Sequence, residues 1–126
     1  MAKKILIVDD EPSLVMLVSA RLKTHGYEVI SAGDGQTGLD MAKKEKPDLI
    51  ILDLMLPKMD GYKVCGLLKK DTRYSKISII LFSARDQEED KIQGMELGAN
   101  AYIAKPFTPQ ILLEIIEEWT KGGQNG

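Results

Sequence analysis

Asp9, Asp10, Asp53, Ser83 and Lys105 are the residues whose types could act together in this chain of 126 residues. Each sits just past, or at the end of, a short apolar run: Asp9 and Asp10 after 5–8, Asp53 after 49–52, Ser83 after 79–82, Lys105 after 101–104. Each also has a plain reading. Acids ahead of a helix serve its macrodipole and its unpaired N–H groups. An Asp that closes a strand is a common turn residue. Ser83, ahead of Ala84 and Arg85, can open the entry loop of a helix, and Lys105 ahead of Pro106 can be a surface lysine.

The plain readings are harder to hold together. Two like charges about 4 Å apart repel by roughly 4 kcal/mol at an effective dielectric near 20. Three clustered carboxylates must therefore take up protons or recruit a cation. The single histidine, His25, and the single cysteine, Cys65, are not beside these acids in the sequence, so the ligands are hard oxygens and zinc is disfavoured. Carboxylates that leave positions for water suit Mg²⁺, which also favours phosphate oxygens. Lys105 and Ser83 then supply a charge and a hydrogen bond to a phosphoryl group.

Five apolar runs must position these groups: 4–8 (KILIV), 27–31 (YEVIS), 48–53 (DLIILD), 77–82 (ISIILF) and 100–104 (NAYIA). Several are continuously apolar, as parallel strands covered on both faces are. Their starts lie 21 to 29 residues apart, enough for a crossover helix each time. The intervening segments carry helical stripes: Leu14, Val15, Leu17, Val18 and Leu22; Val64, Leu67 and Leu68; Ile111, Leu112, Ile115, Ile116 and Trp119. Pro12 and Pro109 suit first-turn positions with Thr108 as an N-cap, Gly26 and Gly98 suit C-terminal caps, and Pro47 blocks the helix ending near Lys46. Alternating β and α elements with right-handed crossovers make an α/β, doubly wound, open parallel sheet with helices on both faces. In such sheets ligands bind beyond the carboxyl ends of the strands, where the five residues fall.

Composition sets the outer limits. At 44% apolar and 29% charged the chain is an ordinary globular domain. One cysteine allows no intrachain disulfide and suits a reducing compartment, so a cytoplasmic location is expected. The apolar run after Lys3 and Lys4 stops after four residues, too few for a signal peptide. No run spans a bilayer, so no membrane partner is expected. Seventeen basic against nineteen acidic side chains, with no basic block, argue against direct nucleic-acid binding by this domain. The domain is read as residues 3–120, with 121–126 as a flexible C-terminal tail or linker stump.

In these residues the chain resembles the receiver domain of bacterial two-component response regulators. ILIVDDEPS is similar to the family's first strand and acidic pair, LIILDLMLPKMDG to its phosphoacceptor strand and loop, LFSA to its hydroxyl position and GANAYIAKPF to its switch aromatic and lysine. The resemblance implies a flavodoxin-like (βα)5 fold with strand order 2-1-3-4-5. It implies that Asp53 takes a phosphoryl group from a phosphohistidine of a sensor histidine kinase or a histidine phosphotransfer protein. It implies Mg²⁺, with Mn²⁺ able to substitute, held by Asp10, Asp53 and the Met55 backbone carbonyl, with Asp9 acting through water. Lys105 would pair with a phosphoryl oxygen, across a cis Lys105–Pro106 peptide that aims its ammonium into the site. Ser83 would move inward and Tyr102 would follow, repacking the face of the fourth helix, fifth strand and fifth helix. That face, including Lys91, would meet a downstream effector protein or domain, and a phosphorylation-dependent homodimer is compatible with it. The domain would be a phosphoacceptor switch rather than an enzyme with turnover.

Ser83 stands where the family more often has threonine, and Met55 and Arg85 occupy variable rim positions. His25 reads as a helix-end cap and Cys65 as core packing. One rival is an aspartyl-nucleophile phosphohydrolase of the haloacid dehalogenase type, which places a general-acid Asp two residues after its nucleophile. Here that position holds Met55 after Asp53 and Glu11 after Asp9. A second rival is a receiver-like module that only binds a partner, for which three crowded carboxylates would be unnecessary.

Overall fold

The computed structural model describes residues 2–84 and 88–125, with side chains up to Thr120 in the last helix. Strands and helices alternate throughout: β1 (Lys4–Val8), α1 (Pro12–Thr24), β2 (Glu28–Ala32), α2 (Gly35–Glu45), β3 (Leu49–Asp53), α3 (Gly61–Lys70), β4 (Ser78–Ser83), α4 (Glu88–Glu96), β5 (Ala101–Ala104) and α5 (Pro109–Asn125). The strands form one parallel sheet in the order β2-β1-β3-β4-β5, the order that the resemblance implied and spacing could not supply.

Side chains on a strand point alternately to the two faces, and this period divides the core. Leu6, Val8, Ile50, Leu52, Ile79 and Leu81 pack with Leu39, Ala42, Val64, Cys65 and Leu68 of α2 and α3. Ile5, Ile7, Leu49, Ile51, Ile80, Phe82 and Ile103 pack with Val18, Leu22, Leu112, Leu113 and Ile116 of α1 and α5. The central strands are buried on both sides, which is why they read as unbroken apolar runs.

The punctuation is as the sequence suggests. Pro12 and Pro109 open their helices, Thr108 Oγ1 accepts from Ile111 N–H at 3.3 Å, and Gly26 and Gly98 adopt positive φ. The ring of His25, at the end of α1, donates to the Arg21 carbonyl over 2.9 Å. Three stripe residues lie elsewhere than expected. Leu17, Leu67 and Ile111 are exposed, because a two-layer helix buries a narrow stripe and the sequence pattern drew a wider one. Leu113, outside that pattern, is buried instead. β4 also reaches one residue further than expected, since Ser83 pairs with Ala104. The backbone of α5 continues to Asn125, into the stretch expected as a tail; no proline interrupts it, and each further residue adds one ladder bond. Gly126 lies outside the described residues.

Candidate functional site

The alternation that builds the core also delivers the chemistry. Ile5, Ile7 and then Asp9 follow one another on the α1–α5 face, as do Leu49, Ile51 and then Asp53. Ile103 and Lys105 continue the same parity from β5. Extended one step past the strands, this face carries two acids and the lysine to one rim.

There Lys105 Nζ donates to Asp9 Oδ2 at 3.0 Å and to Asp53 Oδ2 at 3.3 Å. The bonds join residues 96 and 52 positions apart. Both acids are almost completely buried. Each divides its oxygens in the same way. Asp9 Oδ1 accepts from the Glu11 N–H at 2.8 Å, and Asp53 Oδ1 from the Met55 N–H at 3.1 Å. These bonds to the amide two residues on are Asx turns, which fix the carboxylate rotamers and bend the chain out of each strand. The turn-residue reading accounts for one oxygen of each acid, which organises the loop, and the other oxygen faces the lysine.

Asp10 is exposed, but one oxygen of Asp9, Asp10 and Asp53 can be chosen so that all three lie within 4.8 Å of one another. Burial first, and then the neighbouring Asp9, push the Asp53 carboxyl above its ordinary value, against the pull of the Met55 amide and Lys105. Burial alone would lower the Lys105 ammonium, yet hydrogen bonds and charge from Asp9 and Asp53 outweigh it and raise the group. The two directions agree physically: one cation is shared among more anions than it can neutralise. A crowded, oxygen-only donor set of net negative charge fits a hard divalent cation such as Mg²⁺, and Asp9, Asp10 and Asp53 are the side chains that could hold it.

Ser83 belongs to the other parity. It ends the series Ile79, Leu81, Ser83 on the α2–α3–α4 face, is fully buried, and its carbonyl accepts from the Lys105 N–H at 2.7 Å. Tyr102 of β5 is half-buried on that face and packs with the same cluster. Met55 is 60% exposed and shares a shallow cleft with Asp10, Asp60 and Tyr62. The Lys105–Pro106 peptide is cis. Arg85 lies outside the described residues.

Four residues of this neighbourhood carry roles that sequence reasoning did not assign. Phe82 lies beneath Lys105, with Nζ 4.6 Å from its ring centroid, a cation–π contact that helps hold the ammonium in a partly buried place. Phe107 meets Phe82 edge-on at 5.7 Å. Gly61 packs so tightly that a Cβ there would overlap the Asp53 carbonyl oxygen and stand 2.8 Å from Leu54 Cα. Tyr62 donates its hydroxyl to the Asp90 carbonyl. Strand parity was the one available signal, and it reaches Phe82 alone.

An open parallel sheet with paired acids, an acceptor-position Asp and a bridging lysine at its carboxyl edge defines a class of phosphoryl-handling α/β domains. The comparisons narrow the class. The family model described as response regulator receiver domain matches residues 5–117, and the chain belongs to that family. It is 51% identical over 112 residues to the alkaline phosphatase synthesis transcriptional regulatory protein PhoP of Bacillus subtilis. It is 46% identical over 110 residues to the DNA-binding dual master transcriptional regulator RpaA of Synechocystis. Each match covers 87% of this chain, and 45% and 46% of the two relatives respectively, so the chain spans less than half the length of these curated relatives. Among solved structures, a CheY-like receiver domain protein from Methanospirillum hungatei superposes with a TM-score of 0.93 at 30% identity, covering 99% of this chain and 98% of the other. The BeF3-activated DrrB receiver domain gives 0.87 at 30% identity, covering 96% and 99%. This is a receiver domain of two-component signalling, and receiver domains generally bind Mg²⁺ at an acidic pocket.

Proposed function

We propose that this domain accepts a phosphoryl group on Asp53 and uses it to switch the α4–β5–α5 face. The observation that carries the reading is the Asp9–Lys105–Asp53 bridge beside exposed Asp10. A carboxylate oxygen of Asp53 attacks the phosphorus of a phosphohistidine on a sensor kinase or phosphotransfer protein. The P–N bond breaks, the imidazole leaves and takes up a proton, and an acyl phosphate remains. Asp10, Asp53 and the Met55 carbonyl, with Asp9 acting through water, would hold a Mg²⁺ ion, which would supply charge neutralisation. Mn²⁺ has the same preference for oxygen donors and substitutes. Lys105, already in place over Phe82, turns from the carboxylates to the incoming phosphoryl oxygens.

The product carries more negative charge and more acceptor oxygens. Ser83 hydrogen-bonds one of them, and Tyr102, on the same face of the sheet, repacks behind it. Differential contacts of this kind shift a pre-existing equilibrium by about 1–3 kcal/mol. Exposed Ile92 and Met95 on α4 and Ile111 on α5, with Lys91, offer the switched face to a downstream effector or to a second copy. The domain is a switch and not a turnover enzyme: two residues after Asp53 stands Met55, and two after Asp9 stands Glu11 in place of the general-acid aspartate of the phosphohydrolase pattern. Transcriptional output in the longer relatives suits an effector domain following this one, and the setting is cytoplasmic. No described helix is long and apolar enough to cross a membrane.

The test is Mg²⁺-dependent labelling with acetyl phosphate. One phosphoryl group per chain, lost in Asp53→Asn and suppressed by a chelator, is the expected result. Continuous release of phosphate from a phosphomonoester would favour a phosphohydrolase instead.

A further inference from the structure

The loop after the acceptor runs straight into α3, and the first turn of α3 reaches α4. Gly61 presses against the Asp53 carbonyl and Leu54, so any movement of that backbone is passed to residue 62. Tyr62 is half-buried and lines the cleft shared with Asp10 and Met55. Its hydroxyl donates across 28 positions to the main-chain carbonyl of Asp90 in the first turn of α4, at 3.0 Å.

One turn further along α4 is Gly94. A Cβ there would run into the Leu81 side chain and would stand 3.7 Å from the Tyr102 ring and 3.8 Å from the Tyr62 ring. The α4 backbone thus rests directly on β4, with one tyrosine reaching it from the first turn of α3 and the other from the strand before Lys105. A phenol satisfied by a carbonyl is ordinary packing. What goes beyond packing is that this phenol follows directly on the glycine packed against the acceptor's carbonyl and ends on α4, an element of the proposed output face.

Resting on the acyl-phosphate reading above, we infer that Tyr62 is a positioning residue of the switch: its hydroxyl holds α4 in the resting placement, and movement of the acceptor loop on phosphorylation releases that hold in parallel with Ser83 and Tyr102. An interaction present in the resting state and lost in the active state lowers the active population by its own worth. An ordinary net hydrogen bond corresponds to roughly 2- to 10-fold in that equilibrium.

The experiment compares the full chain with Tyr62→Phe and Asp53→Asn. It uses acetyl phosphate and Mg²⁺, with initial labelling rate and hydrogen exchange of residues 88–96 as readouts. Tyr62→Phe keeps the ring and is expected to label roughly 2- to 10-fold faster. Its α4 amides exchange faster before labelling, and the difference closes once both proteins are phosphorylated. A parent that labels while Tyr62→Phe labels equally fast or more slowly overturns the inference and leaves the acceptor assignment standing, whatever happens to the urea midpoint. A parent that takes no label overturns the acceptor assignment and this inference with it.

Discussion

Replacing Asp53 with asparagine is expected to make the metal-free protein more stable, although the change removes half of a buried ion pair. The Asp9 and Asp53 oxygens lie within 4.8 Å of each other, so at an effective dielectric near 20 they repel by at least roughly 3.5 kcal/mol. Asp10 adds about 1–2 kcal/mol after discounting for its exposure. Against this, Lys105 at 3.3 Å attracts Asp53 by about 5 kcal/mol on the same scale. The pairwise terms nearly cancel. Burial of the carboxylate then decides the sign, in agreement with a carboxyl held above its ordinary value. Asparagine keeps the acceptor for the Met55 amide and leaves Lys105 with Asp9. The expected gain at pH 7 is about 1–2 kcal/mol, or on the order of 0.5–1 M in urea midpoint.

The pH dependence follows from the same direction. Because the folded Asp53 carboxyl is raised above 3.8, the folded state binds the proton more readily than the unfolded state does. The parent's deficit is complete above the folded value, shrinks as pH falls through it, and is gone below about 3.8. Saturating Mg²⁺ should close the gap at pH 7, since a ligand at 100 times its Kd contributes about 2.7 kcal/mol to the state that binds it. Urea unfolding of both proteins in chelator and in Mg²⁺ measures all three effects. A parent as stable as Asp53→Asn in chelator at pH 7 would show that Lys105 outweighs burial and repulsion together.

Gly61→Ala should cost about 1–3 kcal/mol in urea unfolding, because the new methyl overlaps the Asp53 carbonyl; the labelling rate should fall with it. Met55→Asn should shorten the acyl-phosphate lifetime several-fold in a phosphate-release assay, since an exposed apolar side chain at the rim cannot orient an attacking water and an amide can. Burial pushes the Cys65 thiol up to about 11. Iodoacetamide at pH 8.5 should therefore leave native protein unmodified and react promptly in urea, and rapid native alkylation would contradict the packing of α3.

The three central strands were legible because burial on both faces writes itself as unbroken apolar runs, and the caps because Pro12, Gly26, Gly98 and Thr108 act locally. Strand order was not, since crossover lengths fit several arrangements and only the resemblance fixed one. The acids and the lysine could be placed at one rim by the carboxyl-end rule, but their bridge joins Asp9 and Lys105 across 96 positions. Helix faces were read too widely, as Leu17, Leu67 and Ile111 show. Tyr62 left no trace in the pattern, because its partner is a main-chain carbonyl, and any residue type supplies one of those.

The pleat of β4 sets Lys105 and α4 back to back. Phe82 points to the lysine side, while Leu81 points to α4 and Ser83 shares its parity, so on the proposed reading a message to α4 crosses the sheet through the thickness of one peptide. The outer surface of α4 can therefore be retailored for new listeners without touching the ionic machinery behind it. Slipping β4 by a single position would exchange the two roles and silence the device, however well the remainder still folded.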